Sequence, residues 1–211
     1  MNHLITSAIS LTSQGADKLA TGEYFAAASA FCRAIKITQL LSEQVTNDEE
    51  TTSLTVPTAA TATATATATT AFWSYEALPV LLADVSYKNQ IAIFENCFVA
   101  IPNMDYSSVT CTKTMINANQ CRVFTAALIY NLALTYHYGG MCGNSRERMN
   151  DALNLYSKAF DFLPDRKEED TRDGRALRLA LCNNAASLSL VLSGEVIYKL
   201  EPCCTRIHHN L

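Results

Sequence analysis

Apolar positions recur at helical spacing through the first forty residues. Leu4, Ala8, Leu11, Gly15 and Leu19 form one stripe; Tyr24, Ala27, Ala28, Phe31, Ala34, Ile35, Thr38 and Leu41 form a second. Between them "TGEY" carries Gly22, whose permissive backbone ends one helix and leads into the next. The pattern predicts a helical hairpin over 1–42, in which small residues let the helices approach while Tyr24 and Phe31 fill the space between them. The second half repeats the arrangement. "RVFTAALIYNLALTYHYGG" places Phe124, Leu128, Leu132 and Tyr136 on one face and is expected to stop at Gly139 and Gly140. "RMNDALNLYSKAFDFLPD" places Met149, Ala152, Tyr156, Ala159, Phe160 and Leu163 on another and stops at Pro164. A third copy opens with a helix running to Gly194, and its second helix is short and fails near Pro202.

The pattern changes between these parts. Residues 43–71 have no apolar stripe: "SEQVTNDEETTSLTVP" is followed by "TAATATATATATTA", fourteen residues of alanine and threonine alone. Threonine at nearly every second position loses rotamer freedom in a helix, and alanine buries too little area to dock a strand. A disordered, low-complexity linker is the expected state, with a lone helix or strand as the alternatives. Residues 72–120 form an insertion. In "NQIAIFENCFVAIP" the residues Ile91, Ile93, Cys97, Val99 and Ile101 alternate as in a strand, and "SSVTCTKTMI" is the expected partner across the "PNMD" turn. The alternative is that 88–101 lies as an extended arm over the first hairpin. Phe72, Trp73 and Tyr75 supply an aromatic anchor where the chain leaves the linker.

The first hairpin's order of Gly15, Gly22, Tyr24, Ala27, Phe31 and Ala34 resembles the small-and-aromatic signature of tetratricopeptide repeats. The second repeats it as Leu132, Ala133, Tyr136 and Gly140, then Ala152, Tyr156, Ala159 and Pro164. One departure is a displacement of the later residues by seven, which places an insertion at "MCGNSRE", in the turn between the helices. With "YNLALTYH" and "ALNLYSKAF" around that stretched turn, the chain is most similar to the divergent tetratricopeptide-like proteins of diatoms. The resemblance implies a mainly α fold: antiparallel helical hairpins stacked as a short α-solenoid, interrupted by the linker and a small β-hairpin insertion, with 121–211 holding the second hairpin and a partial third repeat.

Composition narrows the function. At 211 residues the chain is long enough to bury roughly 70% of its unfolded surface. A formal charge of −4, with scattered basic residues, lacks the footprint of a nucleic-acid binder. No stretch reads as a membrane span or a secretory signal, so a cytoplasmic protein without membrane contact is expected. The eight cysteines sit in apolar patterns and read as reduced, packed thiols.

Candidate chemistry is sparse. No glycine-rich phosphate loop is present, and no glycine occurs between Tyr24 and Tyr138. Cys142 lies near Arg146 and Arg148, where positive charge favours a thiolate, yet an ordinary exposed loop thiol is the favoured reading. Cys203, Cys204, His208 and His209 offer zinc-type ligands, although adjacent pairs diverge and no finger spacing is met. The family's carboxylate clamp, carried over to Thr12, Ala16, Asn131, Ala180 and Asn184, is matched at Asn131 alone. The expected function is therefore a non-catalytic scaffold, without cofactor, that holds a protein or peptide in a helical groove. Thr12, Tyr130, Asn131, Leu134, His137 and Asn184 are its candidate contacts. Two alternatives stand beside it: a thiol or metal protein using the C-terminal cluster, and an incomplete repeat fragment that serves as a subunit of a larger assembly.

Overall fold

A computed structural model describes residues 2–52, 73–79, 96–102, 118–164 and 172–194. The Ala/Thr run at 58–71, the expected strand at 107–116 and the Cys/His cluster at 203–209 lie outside the described residues. The elements follow in the order α1 (Asn2–Ala20), α2 (Tyr24–Thr52), β1 (Trp73–Pro79), β2 (Asn96–Pro102), α3 (Ala118–Cys142), α4 (Arg146–Phe162) and α5 (Arg172–Ser193). The described part of the protein is mainly helical.

The first hairpin closes as its sequence dictates. Gly22 takes a left-handed φ of 77°, which a side chain resists. The Glu23 N–H then reaches the Lys18 carbonyl at 2.8 Å and the Gly22 N–H reaches the Leu19 carbonyl at 3.0 Å, so two carbonyls at the end of α1 are satisfied. Lys18 and Glu23 pair across the turn at 2.9 Å. The second hairpin turns in the same way with a different residue. Asn144 takes the left-handed position at φ 46°, the Ser145 N–H reaches the Gly140 carbonyl at 2.7 Å, and the Asn144 N–H reaches the Met141 carbonyl at 3.2 Å. Ser145 then caps α4, its hydroxyl accepting from the Arg148 N–H at 3.3 Å.

These turns correct two expectations. Helix α3 does not stop at Gly139 and Gly140 but runs through both to Cys142. The seven extra residues are accordingly not in the turn. Counted from the small residues that the sequence pairs, Gly15 with Ala133 and Ala27 with Ala152, the approach to the turn is four residues longer in the second hairpin and the departure three longer. Each is about one helical turn, so the same faces still meet.

Helix α2 also runs further than its apolar stripe, to Thr52, ten residues into the stretch expected to be linker. The β pairing differs too. β2 runs antiparallel to β1, with Phe98 opposite Ala77 and Val99 opposite Glu76, so 73–79 is a strand and pairs with β2 from the upstream side.

The core gathers Ile5, Ala8, Leu11, Leu19, Phe31, Ala34 and Leu41 of the first hairpin with Phe124, Leu128, Leu134, Ala152, Tyr156 and Leu181 of the later helices. Helix α3 packs against α1, α2, β2, α4 and α5, which is why it is apolar nearly all round and buried from Phe124 through Thr135. Helix α5 is different. Leu177, Ala180, Leu181, Asn184 and Leu188 form its buried stripe, while Leu179 is 73% exposed and Cys182, expected to pack, is exposed as well. Gly174–Ser193 is the one span among the described residues that is long and apolar enough to cross a membrane, at a mean hydropathy of 1.3. Phe160, assigned to the packed face of α4, is 41% exposed, and the Arg178 guanidinium lies 5.7 Å from its ring centre.

Candidate functional site

The feature that sets this fold apart from a plain helical stack lies where β2 meets the first helices of the two hairpins. β2 touches both α1 and α3, which touch each other sparingly, and Cys97, Phe98 and Val99 are buried there. Both faces of this short strand are thus covered. The strand's edge is met by a side chain. Asn131 Nδ2 donates to the Phe98 carbonyl at 2.8 Å, and the Phe98 N–H donates to Asn131 Oδ1 at 3.0 Å. One amide satisfies the donor and the acceptor of one residue, as a neighbouring strand would. Asn131 can do this because it stands on α3 in a fully buried position, where no water competes.

Tyr130 lies next to Asn131. Its ring meets Phe98 edge to face, with centroids 5.3 Å apart, and its hydroxyl accepts from Asn184 Nδ2 at 3.0 Å. Asn184 Nδ2 also lies 3.5 Å from the Tyr156 hydroxyl, which is 3.2 Å from His137 Nδ1. A polar chain therefore runs from Tyr130 through Asn184 and Tyr156 to His137, tying α3, α4 and α5 together. Burial pushes His137 down to about 4, so the ring is neutral at physiological pH. Burial first, then the neighbouring Tyr156, Cys97 and Tyr138, hold the Tyr130 phenol well above its usual value. A neutral phenol and a neutral imidazole suit a network that binds a structure together. His137 Nε2 is buried with no hydrogen-bond partner, which leaves the network one bond short at that end.

The six residues expected to line an open groove are all buried. Asn131 and Tyr130 do meet an extended segment, but it belongs to this chain. His137 and Asn184 face the helical core instead. The Thr12 hydroxyl turns back to the Ala8 carbonyl at 2.7 Å, and Leu134 packs in the core. The reason is geometric. Helical periodicity gives the face on which a residue stands, and a strand arriving from a distant part of the chain decides whether that face is open. Phe98 itself was missed, because alternation put Cys97 and Val99 on the packed face and sent Phe98 outward.

The described cysteines can be placed, whereas the Cys203, Cys204, His208 and His209 cluster lies outside the described residues. Burial lifts Cys97 to about 12 and Cys121 to about 11, so both are protonated packing groups. The Cys142 sulfur lies 3.1 Å from the Tyr24 hydroxyl. Among the described residues no group of three histidine, cysteine or acidic side chains converges to hold a metal. A cleft of about 100 Å³ opens between α2 and α3 beside Tyr24, Tyr136 and Arg148. That is well below the roughly 300 Å³ at which small-molecule sites begin.

Comparison with known families, with curated proteins and with solved structures returned no match.

Proposed function

We propose that this chain is a non-catalytic scaffold of tetratricopeptide-like hairpins that binds an extended protein segment across α1 and α3. The observation that carries the reading is the paired hydrogen bond between the Asn131 amide and the main chain of Phe98. Main-chain recognition of this kind accepts many sequences, because every residue except proline presents the same N–H and C=O. Side-chain selection then falls to the adjoining Tyr130 ring, which takes an aromatic edge. The small-and-aromatic order of the two hairpins, and the shared left-handed turn between their helices, support the tetratricopeptide-like assignment.

The test is to pan a displayed peptide library against the full chain and against Asn131→Ala. Enriched peptides are expected to lose at least about tenfold in affinity on the variant, the equivalent of about 1.4 kcal/mol. Peptides that bind both proteins equally would place recognition elsewhere and overturn the reading.

A further inference from the structure

We propose that β2 is the resident ligand of this surface, and that the protein engages its partner by exchanging β2 for an extended segment of the partner that carries an aromatic residue in the place of Phe98. The inference rests on the groove reading above and adds to it what occupies the groove at rest.

Three observations carry it. The contacts holding β2 on the helices are those by which a groove holds a foreign peptide: a side-chain amide on the main chain, an aromatic ring against Tyr130, and burial of the two flanking side chains. None of them requires β2 to belong to the same chain. Among the described residues β2 also has one strand neighbour, β1, and a two-stranded ribbon is marginal without a surface to pack on. Its position therefore depends on the helices more than theirs depends on it. Finally, β2 enters the sequence between the two hairpins rather than within either, so its departure breaks no helix.

The surface also states what a competitor must look like. Asn131 demands a residue with both N–H and C=O free, which excludes proline at the central position. Tyr130 favours an aromatic side chain there. Cys97 and Val99 show that the neighbours must be small or β-branched, since both are buried. A segment of the same chain competes without the entropy cost of association, so an external peptide binds the intact protein weakly until the resident contact is loosened.

The probe is a fluorescein-labelled peptide of residues 95–103, "ENCFVAIPN", with serine in place of Cys97 to prevent oxidation. Its binding to the full chain, to Phe98→Ala and to Phe98→Ala/Asn131→Ala is followed by anisotropy. Phe98→Ala is expected to bind at least about tenfold more tightly than the wild type, and adding Asn131→Ala is expected to remove that gain. A probe with alanine in place of its own phenylalanine is expected to bind none of the three. In parallel, the wild-type chain is saturated with peptide and amide exchange is read over 96–102. Those amides should exchange faster as β2 is released, and this arm decides the matter if Phe98→Ala does not fold. Equal affinity for wild type and Phe98→Ala, or unchanged or slowed exchange over 96–102 under saturating peptide, overturns the displacement. A gain in Phe98→Ala accompanied by a dimer in sedimentation overturns it as well, since a second copy would then be the occupant. Asn131-dependent binding to the wild type without release of 96–102 leaves the scaffold standing and removes only the exchange. No Asn131-dependent binding by any of the chains sinks both.

Discussion

A Cβ added at Gly15 would lie 2.6 Å from the Phe31 ring, closer than such atoms approach in folded proteins, and Phe31 is fully buried. Gly15→Ala therefore sets a helix-propensity gain of about 1 kcal/mol against overpacking of about 1–3 kcal/mol. Net destabilisation is expected in urea titration, and a stabilised variant would show that the ring can shift. His137 sets a second expectation. In the unfolded chain its ring takes a proton near pH 6.5, whereas in the folded chain it stays neutral to about pH 4. Between those values the unfolded state binds more protons, so the histidine's contribution is intact above 6.5 and is lost as pH falls toward 4. The stability difference between wild type and His137→Gln should therefore shrink by roughly 3 kcal/mol across that window, with no change above it. At this scale the sequence was partly legible. Phe31 and Gly15 stood on facing stripes and do meet, and Asn131 was singled out through a family position. What Asn131 holds was not legible, because its partner lies 33 residues away in a strand whose alternation pointed Phe98 outward.

Among the elements, the helices began where their apolar spacing placed them, although α2 outran its stripe to Thr52, and the hairpin turns fell at left-handed residues, Gly22 and Asn144. Gly22 and Asn144 occupy the same left-handed position in two turns of one design. Gly22→Ala is expected to lower stability by about 1 kcal/mol, although nothing stands near the added methyl, while Asn144→Gly should be neutral or slightly stabilising. Thermal melts of the pair check this, and equal losses in both would contradict it. The glycines at 139 and 140 misled for a physical reason. At Gly140 the helix continues, and a Cβ there would stand 2.8 Å from Met149 and 3.2 Å from the Ser145 carbonyl. That glycine serves close approach rather than termination. For the strands, composition marked β2 correctly and could not name its neighbour, since pairing depends on which other strand reaches it.

Across the whole molecule, α3 is the element that the others share, and the described thiols report on that arrangement. At mild alkaline pH a soluble thiol reagent should label Cys32 and Cys182, both exposed, well before Cys97 and Cys121, which are buried and hold their protons to about 12 and 11. Site mapping by mass spectrometry checks the order, and early labelling of Cys97 would mean that β2 leaves the helices readily. The second hairpin's extra length has a consequence of its own. Adding about a turn on each side of its bend raises the hairpin by roughly 6 Å on one arm and 4.5 Å on the other while the contacting faces turn by only a fraction of a turn. Growth in such increments is silent to packing but throws any ruler of fixed period out of step. A helical hairpin that grows this way keeps its packing in three dimensions while the spacing of its letters no longer shows it.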